Sequence, residues 1–400
     1  MKNKYLITLT PVGNYFFGGE NSFGDKANDD KINYLVEGLK YPQQTTILGM
    51  LRYELLRSKG LLAPKHTTQE ATYLIGKHGG FSGMKKDFGI IESISPVFIK
   101  PQNGDETSYI LPEGFLYQKD KNNKLEERDI LLQQNLEQGR ASVLSAYDPK
   151  KYLEDKGELL IEKDNEQISV FGESQQVGIK KDYSGKTDND SFFKQTFKRL
   201  NKSDKNEKFS FAFFACFSRE LKDGELSNGI INMGADQSLF HMKIDKCIHD
   251  HDYLQEEHNT LIYSGCNIKC YYKIVFISDA LVSKELLQSA NVLLAITNTI
   301  SFQHLQSKAD TKVFVLTEKM NDALGKSEKY ELLSRGSVIY AEAPFLDELY
   351  GELVCVPNPI GILPADYDEN TESKKLKYGF RQIGYNYFTI TEIEKQYRII

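Results

Sequence analysis

The chain has no tryptophan among its 400 residues, only 5 cysteines and only 11 prolines. The cysteines are odd in number and widely spread. That excludes a disulfide framework and points to reduced thiols and a cytoplasmic home. No apolar run approaches the roughly 20 residues that a membrane-crossing helix needs. The start, Met1-Lys2-Asn3-Lys4-Tyr5-Leu6-Ile7-Thr8-Leu9, is too interrupted for a signal peptide and reads as a strand. A positive balance is missing too: 50 Lys and Arg stand against 56 Asp and Glu, a formal net charge of −6. Broad affinity for polyanions is thereby excluded, but a local basic groove is not.

Signatures of catalysis are absent as well. There is no Gly-x-Ser-x-Gly elbow, Walker lysine or kinase set. The turn Phe16-Phe17-Gly18-Gly19-Glu20-Asn21-Ser22-Phe23-Gly24 is glycine-rich, yet no Gly-Lys-Ser/Thr follows it. It is neither a P-loop nor a dinucleotide fingerprint. Cys247-Ile248-His249-Asp250-His251-Asp252, with His258, carries metal-capable side chains in no zinc spacing, and Cys266-x-x-x-Cys270 lacks a second pair. His66, His78, His241 and His304 fall outside any acid–base pattern. The expectation is a protein that is not an enzyme, with no metal and no cofactor.

Aromatic residues, by contrast, are plentiful: 23 Tyr and 23 Phe. The length exceeds one typical core, and two domains are expected, 1–222 and 223–400. The clearest element begins at Tyr41. Pro42 breaks what precedes it, Gln43, Gln44, Thr45 and Thr46 offer capping groups, and Ile47, Leu51 and Leu55 recur every four residues. The opposite face would carry Arg52, Glu54 and Arg57. Gly49 inside this helix costs roughly 1 kcal/mol against Ala, and close approach of another backbone is one reason to place it there. The stretch is either an ordinary amphipathic helix or one whose first N–H groups, hydroxyls and arginine hold a phosphate.

Around it, strands are expected over 4–11, 34–36, 90–99 and 110–118. Residues 70–91 read as an irregular basic loop, 101–109 as a polar turn, and 119–139 as a charged surface helix or insertion. From Gln176 to Leu200 a strand, a polar turn around Gly185 and an aromatic strand make a long hairpin. Residues 180–208 hold nine Lys and Arg against five Asp and Glu, interleaved with Phe192, Phe193 and Phe197. That suits a single-stranded nucleic acid, or equally a solvated hairpin whose rings face the core. Phe209 to Phe217 read as a buried strand closing the first domain. Farther on, 271–277, 312–316 and 338–343 read as strands and 281–300 as mainly helical. The basic tail around Lys374-Lys375-Leu376-Lys377-Tyr378-Gly379-Phe380-Arg381 is a second candidate RNA loop, or a solvated turn.

Four segments then stand in a telling order. They are Phe16-Phe17-Gly18-Gly19 with Tyr41 to Arg52; Val177-Gly178-Ile179 through Phe193; Gly229 to Ser238, with Met233-Gly234-Ala235-Asp236 at its turn; and Arg335-Gly336-Ser337-Val338-Ile339-Tyr340. Together they resemble the RAMP superfamily of CRISPR-associated proteins, and within it the family of the third subunit of the type III-B Cmr complex. The third segment departs from the Gly-Gly-Glu-like turn frequent in that family. The resemblance implies an α+β protein of two tandem ferredoxin-like (RRM-like) domains with a thumb-like hairpin near 176–200 and loop insertions. It implies a non-catalytic subunit, present in single copy in a ribonucleoprotein. That subunit grips the 5′ handle of the CRISPR RNA between the large polymerase-like subunit and the Cmr backbone subunits, away from any membrane. Joined to the reading of the residues, it places Gly18, Gly19, Gln43, Thr45, Thr46 and Arg52 near the RNA backbone. Lys180, Lys181, Lys186, Phe192 and Arg199 would act on the hairpin, and Lys375, Lys377 and Arg381 in the tail. A processing endoribonuclease of the same superfamily, or the equivalent cap subunit of another type III complex, stays open as an alternative.

Overall fold

The weak alternation of the first strand has a structural cause. Tyr5, Leu6, Ile7 and Leu9 are all buried, so both faces of the strand are covered. The computed structural model describes residues 3–18, 34–62, 68–76, 88–102, 117–119, 125–127, 132–135, 140–143, 160–163, 166–181, 184–201, 208–234, 236–247, 271–303, 305–307, 324–327, 329–353 and 379–393. In the first half lie β1 (Asn3–Pro11), β2 (Tyr34–Glu37), α1 (Gln44–Ser58), α2 (Gln69–Ile75), β3 (Ile91–Ile94) and β4 (Phe98–Pro101). They are followed by the hairpin strands β5 (Phe171–Lys181) and β6 (Thr187–Leu200), then β7 (Phe209–Phe217), β8 (Gly229–Met233) and β9 (Ser238–Lys246). The second half supplies β10 (Tyr271–Phe276), α3 (Lys284–Leu287), β11 (Val292–Ile296), β12 (Thr299–Phe302), β13 (Tyr330–Leu333), β14 (Val338–Glu342), α4 (Pro344–Leu353) and β15 (Phe388–Ile393). No helix among the described residues is long and apolar enough to cross a membrane.

The fold is mixed α/β with mostly antiparallel sheets. The first sheet runs β8-β9-β1-β7-β3, with β4 also pairing along β7. The second runs β11-β14-β10-β15. Leaving out the edge strand β8, both have the same plan. The strands that come first, second, third and fourth along the chain lie side by side as fourth, first, third, second: β9-β1-β7-β3 and β15-β10-β14-β11. Residues 229–246, expected in the second domain, pair in the first sheet. Phe240 and Met242 of β9 point into its core, and Leu239, His241 and Lys243 alternate outward. The stretch 281–300, expected to be mainly helical, holds only the four-residue α3. The contiguous apolar run Val292-Leu293-Leu294-Ala295-Ile296 pairs with β14 instead. Residues 125–127 and 132–135, where a surface helix was one option, are extended. The expected strand at 312–316 and most of that at 110–118 lie outside the described residues.

The helix at 44–58 forms where its period demands, but it is covered on more than one side. Ile47, Leu51 and Leu55 enter the main core with Phe211, Phe213 and Phe240. Arg52 and Glu54, expected on the open face, are buried at 6% and 5% exposure. The cause is a second layer, α2 and Phe88, whose ring lies 5.3 Å under the Arg52 guanidinium. The main core also takes in Phe302, Leu332, Phe380, Ile383 and Tyr385, so the two halves share it. Gly49 meets no close packing among the described residues. Among the described residues no heavy atom lies within 4 Å of where its Cβ would stand.

One buried carboxylate anchors the link from β7 to β8. Glu225 accepts two bonds from the Arg219 guanidinium, at 2.7 and 2.8 Å, and one from the Lys222 N–H at 2.8 Å. The Arg219 bonds are the largest cause holding its pKa down to about 2, against an ordinary 4.5. A depressed carboxyl stabilises the fold fully above its unfolded value and loses that contribution as pH falls through the folded one. Wild type is therefore expected to lose stability between pH 4.5 and about 2 that Glu225→Gln does not lose. At pH 7 that variant should be about 2–3 kcal/mol less stable. Urea titrations of both proteins at pH 7 and pH 3 check it, and equal losses on acidification would sink the assignment.

Candidate functional site

The four segments singled out in the sequence are far apart along the chain, and around residues 37–44, the approach to α1, the structure gathers the first, the third, the fourth and the stretch of β6 that continues the second past Phe193. From the first segment, Phe17 accepts the Leu39 N–H at 2.8 Å, and Gly18 forms a bridge with Gly38. From the hairpin, Thr196 accepts the Gly38 N–H at 2.9 Å, and the ring of Phe197 lies 5.5 Å from that of Phe16. From the third, the Ser238 hydroxyl accepts the Phe16 N–H at 3.0 Å, and the turn passes so close that a Cβ on Gly234 (φ +76°) would stand 2.9 Å from the Phe16 carbonyl oxygen. From the fourth, the Arg335 guanidinium lies 3.8 Å over the Tyr41 ring and donates to the Val97 carbonyl at 3.0 Å. Gly38, Tyr41 and Arg335 were missed as members of one place. Only the aromatic before Pro42 and the Arg-Gly-Ser turn hinted at them.

The start of α1 is occupied by the chain itself. Gln43 caps it in extended conformation without a side-chain cap bond. Gln44 is buried and donates through Nε2 to the Ser95 and Ile383 carbonyls, both at 2.8 Å. The Tyr385 hydroxyl faces the first turn at Gln44 and Thr45 without closing a bond of normal geometry. Burial, with Asp279 nearby, holds its pKa above the ordinary tyrosine value. Asp279 is itself half-buried. Loss of solvent around its carboxyl raises its pKa, against the pull of Arg335, whose N–H it accepts at 2.9 Å.

Thr45 and Thr46 are half-buried on the first turn. Arg52 would have to leave the Phe88 ring to meet a phosphate. Arg381 is half-buried, 4.2 Å over the Tyr387 ring, and donates to the Asn386 carbonyl at 2.7 Å. Gly19, Lys375 and Lys377 lie outside the described residues, as does the stretch 248–252.

The hairpin expected at 176–200 runs from Phe171 to Leu200, with β2 pairing parallel to β6 at its foot. Its foot and its outer half differ in charge. At the foot, Lys198 is sealed at 2% exposure and binds Glu173 and Glu37, the latter at 3.0 Å. Burial lowers its pKa, but the bonds to those two carboxylates raise it above the usual lysine value. Farther out, Val177 and Ile179 are 67% and 37% exposed, and the register sets Lys194 opposite Val177 and Phe192 opposite Ile179. Lys194 and Lys186 are exposed. Lys180 and Lys181 lie on the same outer half of β5, and exposed Arg199 near the foot donates to Asn201 at 3.3 Å. Among the described residues no three His, Cys, Asp or Glu side chains group as a metal site.

No curated protein matches the chain. Solved structures do. One is a chain of the cryo-EM structure of type III-B Cmr-beta bound to cognate target RNA and AMPPnP (state 1). It is 15% identical with a TM-score of 0.47, over 96% of this chain and 94% of that one. Another is a chain of the same complex bound to cognate target RNA, 17% identical, also with a TM-score of 0.47, over 96% of both. A family model described as CRISPR-associated protein (Cas_Cmr3) matches residues 7–348, a span that takes in all four segments. By that match the chain belongs to the Cas_Cmr3 family of CRISPR-associated proteins.

Proposed function

We propose that the chain is the CRISPR-RNA-binding subunit of a type III-B effector complex. In this reading it is built from two tandem ferredoxin-like domains. It grips the 5′ handle of the guide and bridges the large polymerase-like subunit to the backbone, without catalysing a reaction. The shared fourth-first-third-second strand order supports the domain reading. The observation that carries the RNA reading is that the first, third and fourth segments meet the strand continuing the second, at the foot of a hairpin. The outer half of that hairpin combines exposed Val177 and Ile179 with the exposed lysines 186 and 194. Apolar surface for unstacked bases beside cations for phosphates is the usual chemistry of single-strand binding. The carboxylates Glu37 and Glu173 at the foot, 72% and 52% exposed, would keep phosphates toward the outer half.

The test is a salt titration of the full chain with a 5′-labelled single-stranded RNA copying the repeat-derived handle. Binding tighter than to a scrambled RNA is expected. Changing Lys180, Lys181, Lys186 and Lys194 together to Gln should weaken it about tenfold or more and flatten the salt slope by about 0.7 for each phosphate no longer neutralised. Equal binding of scrambled RNA, or an unchanged slope, overturns the reading. Metal-free cleavage of the handle RNA would replace it with the endoribonuclease.

A further inference from the structure

We infer that the open edge of β8 takes an extended strand of another polypeptide, which adds to the first sheet beside Ile230 and Asn232. This rests on the effector-complex reading above and goes beyond it in naming a surface and a mode of contact.

The next two strands fix which way the backbone of β8 points. Val12 donates its N–H to the Leu239 carbonyl at 3.0 Å, so Leu239 turns its backbone groups toward β1. Direction alternates from residue to residue along a strand, so Phe240 and Met242 turn theirs toward β8. Their register partners there are Ile231 and Gly229. The Ile244 N–H, bound to the Asn228 side chain at 2.8 Å, keeps the same alternation. Ile230 and Asn232 therefore present their N–H and C=O groups away from the sheet. Among the described residues no strand pairs with that side. Both residues are exposed, Ile230 at 55%.

This edge is also unguarded. Natural sheets blunt their outer strands with a charge, a proline or a bulge. Among the outer strands of the three larger sheets, β2, β3, β5 and β15 carry Glu37, Glu92, Glu173 and Glu392. β4 carries Lys100 and Pro101, and β11 has a register shift. β8, Gly229-Ile230-Ile231-Asn232-Met233, has none of these. On the outward face Leu239 and Val12, 47% and 53% exposed, extend Ile230 into an apolar strip. Donors and acceptors repeating every two residues, at roughly 7 Å, complement another strand, whereas phosphate oxygens only accept. Lys243, the one lysine on the outward side of β9, is already held by Asp245 at 2.9 Å, which leaves little for a polyanion. An uncharged strand whose alternate apolar residues cover the strip fits.

Hydrogen exchange tests it, on the full chain alone and in the complex made by co-expression with the other Cmr subunits. Alone, the Ile231 amide, which faces β9, should exchange slowly and those of Ile230 and Asn232 fast. In the complex all three should be slow. Asn232→Pro removes one outward N–H and no bond to β9, so it should keep the melting temperature and handle-RNA affinity of wild type. It should nevertheless weaken the binding of one co-expressed subunit about tenfold. If that variant unfolds, the exchange of wild type decides. Slow Ile230 and Asn232 amides in the dilute chain alone would assign the edge to a segment of this same chain. Slowing with chain concentration would assign it to a second copy, and slowing with handle RNA alone to RNA; each overturns the inference. So does fast exchange within the complex. If wild type recovers no subunit, the complex reading falls with it. If only its handle-RNA binding is missing, the RNA reading falls and this inference stands.

Discussion

Phe211→Ala is expected to destabilise the chain by about 3–5 kcal/mol, the range for emptying a buried aromatic site. Phe211 is fully buried on β7, opposite Leu9 of β1 and Ile99 of β4. Its ring meets five others: Tyr15 at 5.3 Å, Tyr41 at 5.9 Å, Phe17 at 6.2 Å, Phe240 at 6.4 Å and Phe171 at 6.5 Å. Those rings come from the aromatic turn, the approach to α1, β9 and the root of the hairpin. Several of the pairs are edge-on or tilted, the arrangement that adds attraction beyond buried area. The cavity cannot close easily, because each wall belongs to a different element. Urea unfolding should show a lower midpoint with an unchanged slope. A loss under about 1 kcal/mol would mean that the cluster is not the support of the site.

The parts of the fold legible in sequence were those with a strong local period or composition. The helix after Pro42 begins and ends where its apolar spacing and polar start place it, and Phe209 to Phe217 form a buried central strand. The hairpin was visible because a polar turn separates two runs of strand formers. The failures are of two kinds. Short apolar runs do not distinguish helix from strand, which is why 292–296 was misread. Long-range cover is invisible locally: Arg52 reads as a surface residue until Phe88 arrives beneath it, and nothing near Gln44 announces a bond to Ile383, 339 residues later. The candidate site was legible as four separate segments. That three of them and the continuation of the hairpin strand meet around Gly38 and Tyr41 is a property of the sheets that carry them.

That long-range bond bears the second large effect. Gly384→Ala is expected to cost about 2–4 kcal/mol, through a strained backbone and a clash together. Its φ is +98°, a region that side-chain-bearing residues avoid. A Cβ there would stand 1.8 Å from Gln44 Nε2 and 2.6 Å from the Ser95 carbonyl oxygen. The amide can swing away, but only by giving up its bonds to Ser95 and Ile383; the Ser95 carbonyl belongs to the backbone and cannot. The substitution therefore pries the 380–385 turn from the start of α1, where the second half joins the core of the first. A double-mutant cycle isolates the share of the Gln44 amide. In a Gln44→Ala background the amide clash is gone, so adding Gly384→Ala should cost less than it does in wild type, by about 1 kcal/mol or more. Full additivity would mean that backbone strain and the Ser95 carbonyl, not the Gln44 amide, carry the effect. A Gly384→Ala chain as stable as wild type would mean that the turn does not hold the two halves together.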